Sequence, residues 1–125
     1  MVRQREEKVV TIVDDDESMR NALLGLLNAA GLPVRVFASA EDYLNSGTQH
    51  ETGCLIIDVR MPGMSGLELQ SRLNAEHHSI PTIFITAHAN TKMRMEALRA
   101  GAVEFLTKPF DNAVLLQHVR AAMGK

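Results

Sequence analysis

The chain carries one cysteine, Cys54, in 125 residues. A lone thiol excludes an internal disulfide and fits a reducing compartment. An excess of one charge is also missing: 13 Lys and Arg stand against 15 Asp and Glu, a formal net charge of −2. That balance gives no domain-wide cationic field of the kind nucleic-acid binding needs. No apolar stretch approaches the ~20 residues that cross a bilayer. The charged start, Met1 to Lys8, has no apolar run behind it and does not read as a signal peptide. A cytoplasmic location without a membrane partner is therefore expected. Repeats, low-complexity tracts and linkers are absent as well. The expectation is a flexible segment over residues 1–8 and one domain with a single core over 9–123.

Within that frame, apolar runs alternate with amphipathic stretches. Val9–Val13, Cys54–Ile57, Thr82–Ile85 and Val103–Leu106 read as buried strands, and alternating Val34–Phe37 reads as an edge strand. Met19, Ala22, Leu23, Leu26, Leu27 and Ala30 share one helix face that Gly31 ends. Ser39 caps a short helix through Leu44, with Gly47 beyond it. Further helices are predicted over Leu67–Ala75 and over Thr91–Ala100, the latter stopped at Gly101. Asp111 caps a last one with Val114, Leu115, Val119 and Ala122 on one side. Five βα units in succession predict an α/β fold, a parallel sheet covered by helices on both faces. In such sheets ligands bind outside the carboxyl ends of the strands.

Polar residues fall at those ends. Asp14-Asp15 follow the first strand, Asp58 ends the third, Thr86 ends the fourth and Lys108 follows the fifth. About one βα unit of chain separates Asp58 from Thr86 and Thr86 from Lys108, so all arrive at one edge of the sheet. Neighbouring strands lie ~4.8 Å apart, which lets the groups converge. Three carboxylates in one place repel by ~4 kcal/mol per pair at ~4 Å and an effective dielectric of ~20. Lys108 offsets one charge and a divalent cation would offset two more. All-oxygen ligands favour Mg²⁺ or Mn²⁺, which keep waters that a phosphate can replace.

Val13-Asp14-Asp15, Ile57-Asp58 with Met61-Pro62-Gly63-Met64-Ser65-Gly66, Ile85-Thr86-Ala87, Ala100-Gly101-Ala102-Val103-Glu104-Phe105 and Lys108-Pro109-Phe110 stand in one order. In that order they resemble the receiver domain of two-component response regulators, over nearly the whole chain. The likeness is greatest to the branch with a LuxR-type helix-turn-helix output. The resemblance implies a doubly wound, flavodoxin-like (βα)5 fold with strand order 2-1-3-4-5. It implies that Asp58 accepts a phosphoryl group from a sensor histidine kinase and slowly loses it, without the protein being an enzyme in its own right. Asp15, Asp58 and the Arg60 backbone carbonyl would hold Mg²⁺ or Mn²⁺, with Asp14 acting through water. Thr86, Lys108 and the Ala87 backbone would bind the phosphoryl oxygens. Thr86 would move toward them and Phe105 would rotate inward behind it, altering the face made by the fourth helix, fifth strand and fifth helix. That face would form a homodimer, and a DNA-binding output domain absent from this chain would set transcription. The Lys108-Pro109 bond is expected to be cis.

Other readings stay beside this one. The protein would be a stand-alone receiver that docks onto partners, or a haloacid-dehalogenase-type phosphatase with Asp14 as nucleophile, although the acidic pair expected beyond Lys108 is missing. Asp16 and Glu17 read as helix-start acids. Arg60 and His88 are candidate modulators of dephosphorylation, and His88 otherwise reads as a solvated loop residue. His77-His78 lack a third ligand for a metal site. Cys54 reads as a small buried apolar residue. Met93 and Met95 read as packing or partner-face residues.

Overall fold

In a computed structural model of the protein, residues 7–124 are described. The segment expected to be flexible, 1–8, lies outside them apart from Glu7 and Lys8. Five strands form one parallel sheet in the order β2-β1-β3-β4-β5, so the order deduced from the resemblance holds. They are β1 (Val9–Val13), β2 (Val34–Phe37), β3 (Thr52–Asp58), β4 (Thr82–Thr86) and β5 (Glu104–Thr107). The helices are α1 (Glu17–Ala29), α2 (Ala40–Ser46), α3 (Gly66–Ala75), α4 (Thr91–Arg99) and α5 (Asn112–Met123). A short 3-10 turn, Gln49–Glu51, precedes β3 and was not foreseen.

Local chemistry explains the helix starts. Asp16, Ser39, Ser65, Asn90 and Asp111 each accept a backbone N–H of the first turn that has no partner within the helix. Ser65 and Glu68 close a full capping box on α3. Asp16 is thus a cap, and Glu17 stands in the first turn, as read from the sequence.

The single core expected is two apolar layers divided by the sheet. Strand side chains point alternately up and down. Leu55, Ile57, Phe84 and Phe105 pack with Ala40, Tyr43, Leu69 and Ala97 from α2, α3 and α4. Cys54, Ile56, Ile83 and Ile85 pack with Leu23, Leu27, Leu115 and Val119 from α1 and α5. Two residues depart from expectation. Val114 lies one position off the Leu115–Val119 stripe, a turn of ~100° on a helix, and is exposed. Val103 precedes β5 and is exposed too. Cys54 is fully buried and burial pushes its thiol up to about 12, which fits an inert packing residue.

Candidate functional site

The chain reverses its winding direction between β1 and β3, and the crevice there opens above their carboxyl ends. Asp14 follows β1 and Asp58 ends β3. Lys108, just beyond β5, reaches back so that its Nζ lies 3.0 Å from Asp58 Oδ2 and 3.5 Å from Asp14 Oδ2. Carboxylate oxygens of Asp14, Asp15 and Asp58 all lie within 4.8 Å of one another. Residues from the ends of three strands, β1, β3 and β5, therefore meet at one edge of the sheet. Three acids and one ammonium leave two negative charges, and an all-oxygen donor set of that charge fits a hard divalent cation.

Asp14 is 0% exposed and Asp58 8%. Burial pushes the Asp14 carboxyl above its ordinary range, against the Asp16 N–H and the Lys108 charge, which favour ionisation. Burial also works against the Lys108 ammonium, but the hydrogen bond to Asp58 and the charges of both acids outweigh it, so its pKa is raised. Each acid keeps one oxygen fixed. Asp14 Oδ1 accepts the Asp16 N–H at 2.9 Å, and Asp58 Oδ1 accepts the Arg60 N–H at 3.0 Å. Asp15 is exposed beside them. Asp14, the nucleophile under the phosphatase reading, is thus sealed beneath the pocket, whereas Asp58 reaches its opening.

Thr86 is 1% exposed, and its Oγ1 accepts the His88 N–H at 3.3 Å, which leaves the hydroxyl proton free to donate elsewhere. Ala87 and His88 are exposed in the loop after β4, and Arg60 is exposed in the loop after β3. Phe105 is 2% exposed and packs on Phe84, with ring centroids 6.1 Å apart. The expected rotation of Phe105 is a change on phosphorylation; here its ring is already buried against Phe84. The Lys108-Pro109 bond is cis.

Two polar contributors escaped the sequence reading. Arg20 donates to the Asp14 carbonyl at 2.9 Å, tying α1 to the pocket floor. Arg94 of α4 donates to the Phe105 carbonyl at 2.9 Å, while Glu104 Oε1 accepts the Phe105 N–H at 2.8 Å. Those two bonds cover the edge-facing backbone of β5. Arg20 had a signal, six residues after Asp14 in the first turns of a helix; Arg94 had none short of the packing of α4 on β5. Among the described residues, Asp14, Asp15 and Asp58 form the one cluster of three metal-capable groups, and neither His77 nor His78 belongs to it.

A family model described as the response regulator receiver domain matches residues 10–120. The transcriptional regulatory protein FixJ of Azorhizobium caulinodans is 42% identical over 120 residues, 96% of this chain and 57% of its own. The response regulator protein TmoT of Ectopseudomonas mendocina is 46% identical over 118 residues, 94% of this chain and 54% of its own. Nodulation protein W of Bradyrhizobium diazoefficiens is 46% identical over 114 residues, 91% of this chain and 50% of its own. The chain spans about half the length of these curated relatives. Among solved structures, the response regulator StyR superposes with a TM-score of 0.87 at 44% identity, covering 94% of this chain and 60% of that one. FixJ-N superposes with a TM-score of 0.84 at 38% identity, covering 96% of each chain.

Proposed function

This chain belongs to the response regulator receiver domain family, and on that premise we propose that it is a switch thrown by phosphorylation of Asp58. Receiver domains of this family are signalling proteins rather than classical enzymes. The observation that carries the reading is the Asp58 carboxylate, open at the end of β3, paired to Lys108 at 3.0 Å with two further acids within 4.8 Å.

Asp58 attacks the phosphorus of a phosphohistidine on a sensor histidine kinase, giving an acyl phosphate on the aspartate and neutral histidine on the kinase. Phosphoryl transfer demands positioning and charge neutralisation more than covalent help. Asp15, Asp58 and the Arg60 carbonyl would hold Mg²⁺ or Mn²⁺, with Asp14 acting through water, and the cation would supply charge neutralisation for the incoming oxygens. Lys108 already sits on Asp58 Oδ2 and transfers its contact to a phosphoryl oxygen. The Thr86 hydroxyl and the Ala87 N–H donate to the others. Arg60 and His88, exposed on the two flanking loops, control the approach of hydrolytic water.

The acyl phosphate adds ~1.5 to 2 negative charges. Thr86 follows that charge, and Phe105 and α4 adjust behind it. α4 is loosely seated, with Ala97 its one fully buried residue. Met95 and Leu98 on α4, Val103 before β5 and Val114 on α5 are all exposed apolar side chains. A homodimer through α4, β5 and α5 would cover them. No helix among the described residues is long and apolar enough to cross a membrane, and a cytoplasmic site of action agrees with the kinase partner. The output is transcription through a LuxR-type DNA-binding domain beyond this chain, in keeping with relatives of about twice its length, among them one named a transcriptional regulatory protein.

The test is to incubate the protein with Mg²⁺ and acetyl phosphate and map the labelled residue. Label on Asp58, lost in Asp58→Asn, is expected; label on Asp14 would sink the assignment. Beryllofluoride, which mimics the acyl phosphate, should shift the sedimentation coefficient toward a dimer, and an unchanged value would remove the dimer from the proposal.

A further inference from the structure

The loop after Asp58 is held by few bonds. The Arg60 N–H turns back to Asp58, the Gly66 N–H closes on the Val59 carbonyl at 2.9 Å, and the Ser65 N–H goes to Glu68 of its own helix. Among the described residues, one hydrogen bond joins residues 61–64 to another element: the Met64 N–H donates to Glu41 Oε2 at 2.8 Å. Glu41 stands in the first turn of α2, a helix fastened to the core by fully buried Ala40 and Tyr43. The same carboxylate fills the space beside Gly63. That glycine has φ +74°, and a Cβ on it would stand 2.5 Å from Glu41 Oε2. The glycine of Met61-Pro62-Gly63 thus serves two ends, a left-handed turn and room for an acid from α2. The Met64 N–H, with Glu41's own backbone N–H, holds the Glu41 carboxyl below its ordinary range, as an accepted hydrogen bond should.

We propose that Glu41 is a positioning residue for the Asp58 site: it ties the 60–64 loop to α2 and so keeps the Arg60 carbonyl in place for the cation. This rests on the function proposed above. Asp58 and Asp14 are fixed by their strands and Lys108, whereas Arg60 is exposed on the loop, and its placement depends on what restrains that loop. An outer contact of this kind tunes metal affinity without touching the metal.

The experiment titrates Mg²⁺ into the protein with no phosphoryl donor present, following the backbone amide shifts of Asp15 and Arg60, and then measures labelling by acetyl phosphate. In Glu41→Ala, Mg²⁺ binding should weaken roughly three- to tenfold, the size of a typical hydrogen bond lost at an exposed position. Labelling should slow at low Mg²⁺ and recover at saturating Mg²⁺, with the unfolding midpoint nearly unmoved. Glu41→Gln, whose amide oxygen still accepts the Met64 N–H, should stay within about twofold of the parent. Gly63→Ala should weaken Mg²⁺ in the parent and weaken it less in Glu41→Ala, where the colliding carboxylate is gone. Unchanged Mg²⁺ affinity in Glu41→Ala, with normal labelling of the parent, overturns this inference alone. Equal weakening in the Gln and Ala variants overturns it as well, since that is a long-range charge effect. A parent that takes no Mg²⁺-dependent label on Asp58 overturns both this inference and the function it rests on.

Discussion

β1 and β3 each bury a hydroxyl low in the strand and a carboxylate at or just past its carboxyl end. Thr11 and Thr52 meet through their Oγ1 atoms at 3.1 Å, and the Tyr43 hydroxyl of α2 closes on Thr52 at 2.7 Å. All three are buried and none is charged at neutral pH, because burial pushes the Tyr43 phenol further above its already high range. Further along the same strands, Asp14 and Asp58 are also buried but share one ammonium between them. The lower cluster is complete and asks for nothing. The upper one carries surplus negative charge, and binding a cation or moving a proton is the way it relaxes. Burial of polar atoms therefore does not mark a functional site in this protein; unbalanced burial does.

The difference can be broken from either side. Removing the capstone of the neutral cluster should have the largest effect. Tyr43→Ala leaves a cavity in the α2 layer and strips Thr52 of a partner, and should cost ~3 to 5 kcal/mol in chemical denaturation. Mg²⁺ should act on the charged cluster alone. At about a hundred times its dissociation constant it should stabilise the protein by ~2.7 kcal/mol. That gain should vanish in Asp58→Asn and persist in Tyr43→Phe, read as the shift in unfolding midpoint.

A smaller effect has the opposite sign to most core substitutions. A carboxyl whose pKa is raised on folding favours the fold below its unfolded value, near 3.8 for Asp14, and loses that contribution as pH rises through the raised value. Ionised Asp14 is thus a burden at neutral pH. Asp14→Asn should stabilise the metal-free protein by ~1 to 2 kcal/mol at pH 7, as relief of a strained functional group does. The gain should fade as pH drops below the raised value; a pH-independent gain would point to packing instead. The smallest effect belongs to the edge of the neutral cluster. Thr11→Val removes one hydroxyl, with its one side-chain bond among the described residues, and keeps the shape, so the cost should stay under ~1 kcal/mol.

The two clusters were not equally legible. Asp14, Asp58, Thr86 and Lys108 announce themselves because a polar residue at the end of an apolar run is conspicuous, and the βα rhythm sends every such end to one edge. Thr11, Thr52 and Tyr43 give no such signal. Thr suits a strand on local grounds, and nothing near Tyr43 shows that α2 will lay its hydroxyl on β3. Glu41 was missed for the same reason, since its partner, the Met64 N–H, lies 23 residues away on another element. Helix starts were readable to within a residue or two where a cap residue marks them, as at Ser39 and Asp111. Val114 was misplaced because one step along a helix turns a side chain by ~100°, and the stripe of α5 was drawn one residue too wide.

By itself the sequence determined the alternation of strand and helix, the parallel sheet and the edge at which the acids, the threonine and the lysine gather. These follow from local periodicity and from the fixed handedness of βα crossovers. Tertiary structure alone decided how the charges are shared. Two adjacent aspartates, Asp14 and Asp15, are alike in sequence, yet one is sealed and the other exposed. Arg20 of α1 and Lys108, reaching across the sheet, both bind Asp14, and a pKa depends on such surroundings rather than on the order of residues.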